Sequence, residues 1–207
     1  MPETSKQPDR NGLQHLQGFF EGKRNLVVLS GAGISAASGI PTYRDKAGNW
    51  TRSNPIQHQD FISKKSARQR YWLRSYSGWT AVASAAPSSS HHAIAELERQ
   101  KIVKLVVTQN VDRLHQYAGS RNVIDLHGRL DEVICMSCLR VTPRHALQTK
   151  LRLLNPSFSQ QGDIAPDGDA DVAEDSVVSV AVPPCENCGG ILKPNVVFFG
   201  DNVSKSI

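Results

Sequence analysis

The 207-residue chain contains four cysteines, which fall in two C-x-x-C pairs, Cys135-Met-Ser-Cys138 and Cys185-Glu-Asn-Cys188, with none left over. Two such knuckles read as one four-thiolate zinc site more readily than as disulfides in an intracellular setting. A shared metal would force residues 139–184 to leave one point in space and return to it, so the fold must close a loop there. That loop is longer than a minimal zinc ribbon needs, and it therefore carries an insertion. A redox C-x-x-C is the competing reading, weakened because that motif normally opens a helix in a thioredoxin-like context.

A second stretch sets the architecture of the rest. Asn25-Leu-Val-Val-Leu-Ser30 is an apolar, strand-like run that breaks directly into Gly31-Ala32-Gly33 and then Ile34-Ser35-Ala36. Read as a relaxed G-x-G-x-x-A pattern, Gly31 permits a tight turn and Gly33 lets the backbone approach a pyrophosphate. The N–H groups opening the next helix would bind phosphate oxygens. Alone, the pattern is equally a plain turn between strand and helix. Two further apolar strands are predicted at Lys101–Thr108 and Asn122–Leu126, with helical patterns between them. Leu13, Leu16, Phe19 and Phe20 share one helical face, expected to pack beside the first strand. Residues 61–77 read as a basic, aromatic helix, and the serines of 85–90 cap a helix from His91 to Gln100.

This β-α-β alternation predicts an α/β fold: a partial, doubly wound, Rossmann-like parallel sheet with a small zinc-binding module inserted. The expected division is 13–130 with 192–207 for the dinucleotide-binding unit and 131–191 for the zinc module. A cofactor loop and the helical part of a small domain fall at about 44–90. Residues 44–59 show no period and read as an extended loop, and residues 193–201 give one more strand. Residues 155–182 read as a solvated acidic insertion. Taking Asp167 as first ligand of a calcium loop puts Val172 where glycine is required and Val178 where the closing glutamate belongs, which excludes an EF-hand.

Three polar clusters lie just beyond predicted strand ends, where open α/β sheets bind ligands: Gly31–Gly33, Gln109-Asn110-Val111-Asp112 and His127-Gly128. Residues 156–191 hold seven acidic and no basic residues, so the net charge of +5 conceals a strongly basic body. Such a body suits an anionic ligand such as a dinucleotide, and equally a nucleic acid. No apolar run approaches the ~20 residues of a membrane span. The polar opening decapeptide differs from a secretory or transit leader, which makes a cytoplasmic protein the expectation.

Taken in order, Gly31-Ala-Gly-Ile-Ser35, Gly39-Ile-Pro-Thr-Tyr-Arg44, Thr108-Gln-Asn-Val-Asp112, His127-Gly128, the paired knuckles and Val196-Val-Phe-Phe-Gly200 resemble the sirtuins, NAD-dependent protein lysine deacylases. The match spans about residues 13 to 203. Gly48-Asn-Trp50, Arg68-Gln-Arg-Tyr-Trp72 and the long insertion are most similar to the lipoamidase branch and its bacterial relatives, which makes the mitochondrial matrix the alternative location. The resemblance implies that NAD is held by Gly31, Ala32, Gly33, Ile34, Ser35, Ile40, Tyr43 and Arg44. Gln109 would meet the nicotinamide ribose, with Asn110, Val111 and Asp112 around the carboxamide. It further implies His127 as general base, and Val197, Phe198, Phe199 and Gly200 as a strand that pairs with an acylated-lysine peptide. Cys135, Cys138, Cys185 and Cys188 would hold a structural zinc.

The chemistry agrees with the residue types. Breaking the nicotinamide–ribose bond creates an electrophile that an amide oxygen of acyl-lysine can capture, so no strong protein nucleophile is needed and none is evident. A later step needs a base, and histidine is the residue type that exchanges a proton near neutral pH. Tyr71 and Arg74, three apart on one helical face, resemble the pair that binds acidic acyl groups in desuccinylating sirtuins; a helix-face ion pair or core tyrosine is the alternative. Hydride transfer is disfavoured because no acidic residue stands about 20 positions after the glycines at a strand end. ADP-ribosyl transfer stays open, and nucleic-acid binding is disfavoured by the acidic flanks of the knuckles. Sirtuins continue past the Phe-Phe-Gly segment, so the resemblance also implies a chain cut short, with an exposed apolar sheet edge, weak NAD binding and little activity. Oligomeric state is not legible.

Overall fold

Val, Ile and Leu dominate the three strands of the first sheet: β1 (Leu26–Ser30), β2 (Val103–Thr108) and β3 (Val123–Asp125). All pair in parallel, in the order β1-β2-β3. β2 is central, and Val103 and Val106 are fully buried. Register places Ser30 beside Thr108 and Thr108 beside Asp125. The three strands therefore end level, and the loops that follow them emerge side by side. The computed structural model describes residues 10–42, 47–49, 56–157 and 180–203.

The helices follow local chain chemistry. Helix α1 spans Arg10–Phe20, and the helix expected after the glycines is a 3-10 helix over Ala32–Ser38. Gly39 ends it with φ 83°, a left-handed conformation that glycine adopts without a Cβ clash. The predicted helix at 61–77 is two helices, α2 (His58–Ser63) and α3 (Lys65–Ser84), separated by Lys64 in an extended conformation. The Arg68 guanidinium donates to the carbonyls of Phe61 and Ile62 at 2.9 and 2.8 Å, satisfying the orphan end of α2. Helix α4 (Ser89–Arg99) follows Ser88, whose backbone N–H donates to Nδ1 of His91 at 3.1 Å, a capping box in which histidine takes the usual glutamate's place.

After the short α5 (Leu114–Tyr117), the chain builds an antiparallel sheet of β4 (Gly128–Cys135), β5 (Val141–Pro143) and β6 (Leu192–Val196), with β4 in the middle. The strand expected within 193–201 thus lies at Leu192–Val196, as a partner of β4. Helix α6 (Arg144–Leu154) docks onto α3. Arg144, 1% exposed, lies 5.3 and 5.0 Å from the Trp72 and Trp79 rings and donates to the Ser75 carbonyl. Gln148 donates to the Tyr76 carbonyl at 2.9 Å. Buried Asn155 bonds Ala181 through both amide atoms, joining the two ends of the insertion. Residues 158–179, the bulk of that insertion, lie outside the described residues.

The main apolar core joins Phe61, Tyr71, Trp72 and Tyr76 of α2 and α3 to Val133 of β4, Leu147 and Leu151 of α6, and Phe198. The first sheet is different. On β1, Val27 and Leu29 are 60% and 67% exposed, and Leu13, Leu16 and Phe19 of α1 are exposed too. The apolar face of α1 is therefore not buried against β1 as its periodicity predicted.

Candidate functional site

The four cysteine sulfurs lie within 4.8 Å of one another. Cys135 and Cys188 are 3.5 Å apart, and Cys138 and Cys185 are 3.8 Å apart. Tetrahedral zinc with Zn–S of about 2.3 Å requires sulfurs roughly 3.8 Å apart, so the donor set fits that metal. Backbone N–H groups favour the thiolates: Ser137 donates to Cys135 Sγ at 3.4 Å, and the Arg140 N–H is first among the donors that bring the Cys138 thiol down to about 6. Gly190 closes the second knuckle because a Cβ there would lie 2.4 Å from Ser137 Oγ and 2.9 Å from Cys135 Sγ. Four thiolates leave no open position, which makes the site structural.

The metal centre and the crevice share two strands. Cys135 is the last residue of β4, and the first, Gly128, directly follows His127. β6 begins just after the second knuckle and runs into Val197–Gly200. At that far end Gly128 pairs with Val196, and the Val197 N–H donates to the His127 carbonyl at 2.8 Å. Gly128 has φ 79°, and a Cβ there would meet the Asn195 carbonyl oxygen at 2.2 Å. Only glycine lets the strands cross at this point.

The level strand ends and this segment enclose a cavity of about 350 Å³, within the usual range for small-molecule sites. Ala32, Ser35 and Ile40 line it from the first loop, Gln109, Asn110, Val111 and Asp112 from the second, and His127 from the third. Val197, Phe198 and Phe199 form the opposite wall, with Tyr71 of α3 packed against Phe198. Gly31 has an ordinary extended φ of −137°, and Cβ atoms added at Gly31 or Gly33 would meet nothing within 4 Å. Neither backbone strain nor the chain's own packing requires these glycines, contrary to the tight-turn role expected of Gly31. Open space over them suits close approach by a ligand such as a dinucleotide.

Hydrogen bonds fix the polar wall. Ser35, fully buried, donates to Asp112 Oδ2 at 2.6 Å and accepts from the Asn110 carboxamide at 3.0 Å. The Leu114 N–H holds the other Asp112 oxygen at 2.9 Å. Nδ1 of His127 lies 3.0 Å from the Gln109 carbonyl. A carbonyl can only accept, so Nδ1 carries the proton and Nε2 keeps its lone pair, the tautomer a general base needs. Arg113 and Gln116 both bond the Asp125 carboxylate, anchoring the end of β3 two residues before His127.

Sequence reasoning passed over the layer behind this wall. Thr108 Oγ1 accepts from the Asn110 N–H at 3.1 Å and from Ser30 Oγ at 2.9 Å, and Ser30 Oγ lies 2.8 Å from His115 Nε2. The His115 ring packs edge-on against His91 with centroids 4.9 Å apart, and both are fully buried. The signal was present in His91, three residues after the cap, and in His115, within α5, but neither type-and-spacing pattern is specific. Of the predicted site residues, Gly200 adjoins the cavity wall, with φ 78°. Arg74 is half-buried one turn beyond Tyr71 and does not line the cavity. Tyr43 and Arg44 were both expected at the NAD pyrophosphate, and both lie outside the described residues.

A parallel sheet with ligand-sized space at its strand ends, joined to a four-cysteine ribbon, defines a dinucleotide-site protein with a structural metal module. The chain belongs to the Sir2 family, whose model matches residues 31–207. It is 53% identical over 194 residues to an NAD-dependent protein deacetylase of Bordetella bronchiseptica, covering 93% of this chain and 71% of that protein. A namesake from Xanthomonas axonopodis pv. citri is 52% identical, with 92% and 66% covered. The NAD-dependent protein deacylase Sirt4 of Drosophila melanogaster is 46% identical, with 93% and 63% covered. A solved Sir2 structure with a p53 peptide and NAD+ matches at TM-score 0.67 and 28% identity, over 94% of this chain and 67% of the other. The chain thus spans about two thirds of the length of these relatives. Among the described residues, no helix is long and apolar enough to cross a membrane.

Proposed function

We propose that this chain carries the site of an NAD-dependent protein lysine deacylase, which releases nicotinamide and passes the acyl group to ADP-ribose. The observation that carries the reading is His127, held in the base-competent tautomer where the three strand-end loops meet the Val197–Phe199 wall. When bound, NAD supplies the ribosyl carbon that becomes electrophilic as nicotinamide leaves. Ala32 and the open glycines border its phosphates, and the Ser35–Asn110–Asp112 network presents a fixed carboxamide and carboxylate to the nicotinamide side. His127 Nε2 takes the proton from a ribose hydroxyl. The roles of Tyr43 and Arg44 rest on sequence alone.

The substrate is an acylated lysine in a protein, docked against Val197–Gly200. Four cysteines gathered as one metal donor set suit a cytoplasmic setting, which fractionation would check. Incubating the chain with NAD and a panel of acyl peptides tests the reading: free nicotinamide that depends on the peptide supports it, whereas nicotinamide release without peptide, or none at all, overturns it. Tyr71 makes the acyl end of the cavity selective, and Arg74 is the residue to vary. If Arg74 reaches past Tyr71 to a substrate carboxylate, Arg74→Ala should lower turnover of succinyl-lysine peptide roughly fivefold relative to acetyl-lysine peptide, the loss of one partly solvated ion pair. Equal effects on both would remove the acidic-pocket idea.

A further inference from the structure

Lys193 is a lysine in the wrong place for solubility. It lies within β6 and is 4% exposed, and burial pushes its ammonium below the usual lysine range while Asp201 opposes that shift. Lysines are almost never fully buried unless paired. Three partners explain this one. Nζ donates to the Val196 carbonyl, lies 3.0 Å from Asp201 Oδ2, and stands over the Phe198 ring at 4.6 Å from its centroid. Asp201 also lies 3.1 Å from His58 Nδ1 at the start of α2.

These contacts bracket one segment. Val196 precedes Val197–Gly200 and Asp201 follows it, so a single buried charge joins the two ends of the cavity wall. Between them the chain turns back on itself, with the Asp201 N–H donating to the Phe198 carbonyl at 3.0 Å and φ 78° at Gly200. The wall is further tied outward by the His58 N–H, which donates to the Phe199 carbonyl at 2.9 Å. Burial pushes the Asp201 carboxyl up, and the Lys193 ammonium, with smaller help from the Asn202 N–H and His58, holds it below the usual range.

We propose that Lys193 is a positioning residue: by joining the Val196 carbonyl to the Asp201 carboxylate beneath the Phe198 ring, it sets the bowed shape of Val197–Gly200 against which an acyl-lysine peptide lies. The peptide part rests on the proposed deacylase reading; the clamp itself does not. Removing the ammonium leaves the Asp201 carboxylate, one fifth exposed, with only His58 and the Asn202 N–H, neither of which reaches the Val196 carbonyl, and the bow opens while the zinc ribbon stays.

Hydrogen exchange on the full chain decides the clamp, and anisotropy of a labelled acetyl-lysine peptide decides its use. In Lys193→Met, the Val197 and Asp201 amides should exchange at least about tenfold faster while Met136, Cys185 and Gly189 of the ribbon keep their protection. Peptide affinity should fall by a similar factor with NAD affinity unchanged, and Lys193→Arg should restore most of both. Unchanged protection at Val197 and Asp201 overturns the proposal. If Lys193→Met loses ribbon protection as well, Asp201→Asn decides between the outcomes through the same two amides. A wild-type chain that protects these amides but binds no acyl-lysine peptide would refute the deacylase reading and leave the clamp standing.

Discussion

The two sheets of this molecule each have three strands, and they hold together by different means. The parallel sheet is rich in β-branched residues, yet its edge strand β1 turns Val27 and Leu29 to solvent. The antiparallel sheet contains a lysine, a proline and an asparagine in one five-residue strand, yet it is covered by aromatic side chains and pinned by four sulfurs. Burial, and not strand propensity, therefore locates the stability of this chain. The parallel sheet supplies the loops that face the cavity. The module with the core supplies the opposite wall and sets where His127 stands.

Removing the metal is the sharpest way to break this contrast. Structural zinc contributes on the order of 10 kcal/mol to small domains, so chelation should unfold the antiparallel sheet and α6 and abolish the cavity, as read by circular dichroism and melting temperature. A metal-stripped chain with an unchanged melt would show that the ribbon stands on its core alone. Next in size, His127→Ala should lower deacylation of an acyl-lysine peptide by ~10²–10⁴-fold while leaving NAD affinity nearly intact. Calorimetry beside the turnover assay checks both halves of that statement.

The third comparison sets one sheet directly against the other. Phe61→Ala, in the aromatic core, should cost about 3–5 kcal/mol in urea denaturation, whereas Leu29→Ala on the exposed face of β1 should stay within about 0.5 kcal/mol. Similar values for the two would mean that the face of β1 is covered in solution. The smallest effect is one of pH and belongs to the parallel sheet. Burial lowers the pKa of His91 and of His115, with each His neighbour or Asp112 contributing less. Folded values below the unfolded value near 6.5 mean that the unfolded state takes up protons first. The stability they confer is complete above pH 6.5 and is lost as pH falls, by up to about 1.4 kcal/mol per pH unit for each histidine. Melting temperatures from pH 7.5 to 5.5 should drop, and less steeply in His115→Gln.

Much of this was legible from spacing. Three apolar runs placed β1, β2 and β3, and strand-end position singled out His127 over the other six histidines. The cysteine pairs announced a shared metal because two knuckles fix four donors without help from the fold. What stayed hidden depends on contacts between residues far apart in the chain. Ser30, Thr108 and His115 form one network across 85 positions, and no local pattern marks it. Within the 3-10 helix Ala32–Ser38, Ser35 bonds Asp112, another distant partner. The apolar stripe of α1 predicted burial, but periodicity names no partner, and none of the described elements covers that face.

Gly128 gives the ribbon a further property. Because a side chain there would strike the Asn195 carbonyl, only glycine lets β4 and β6 meet at the cavity end as they do, and beyond a shift in register the same two strands lead to the zinc knuckles at the other end. The ribbon behaves as a ruler with a mark at each end. A ligand that presses His127 against Val197 and a metal that gathers the four sulfurs both favour the paired form of these two strands, and binding linkage is reciprocal. Occupying the cavity should therefore strengthen the chain's hold on zinc against a chelator by the same factor by which zinc tightens the cavity's hold on its ligand.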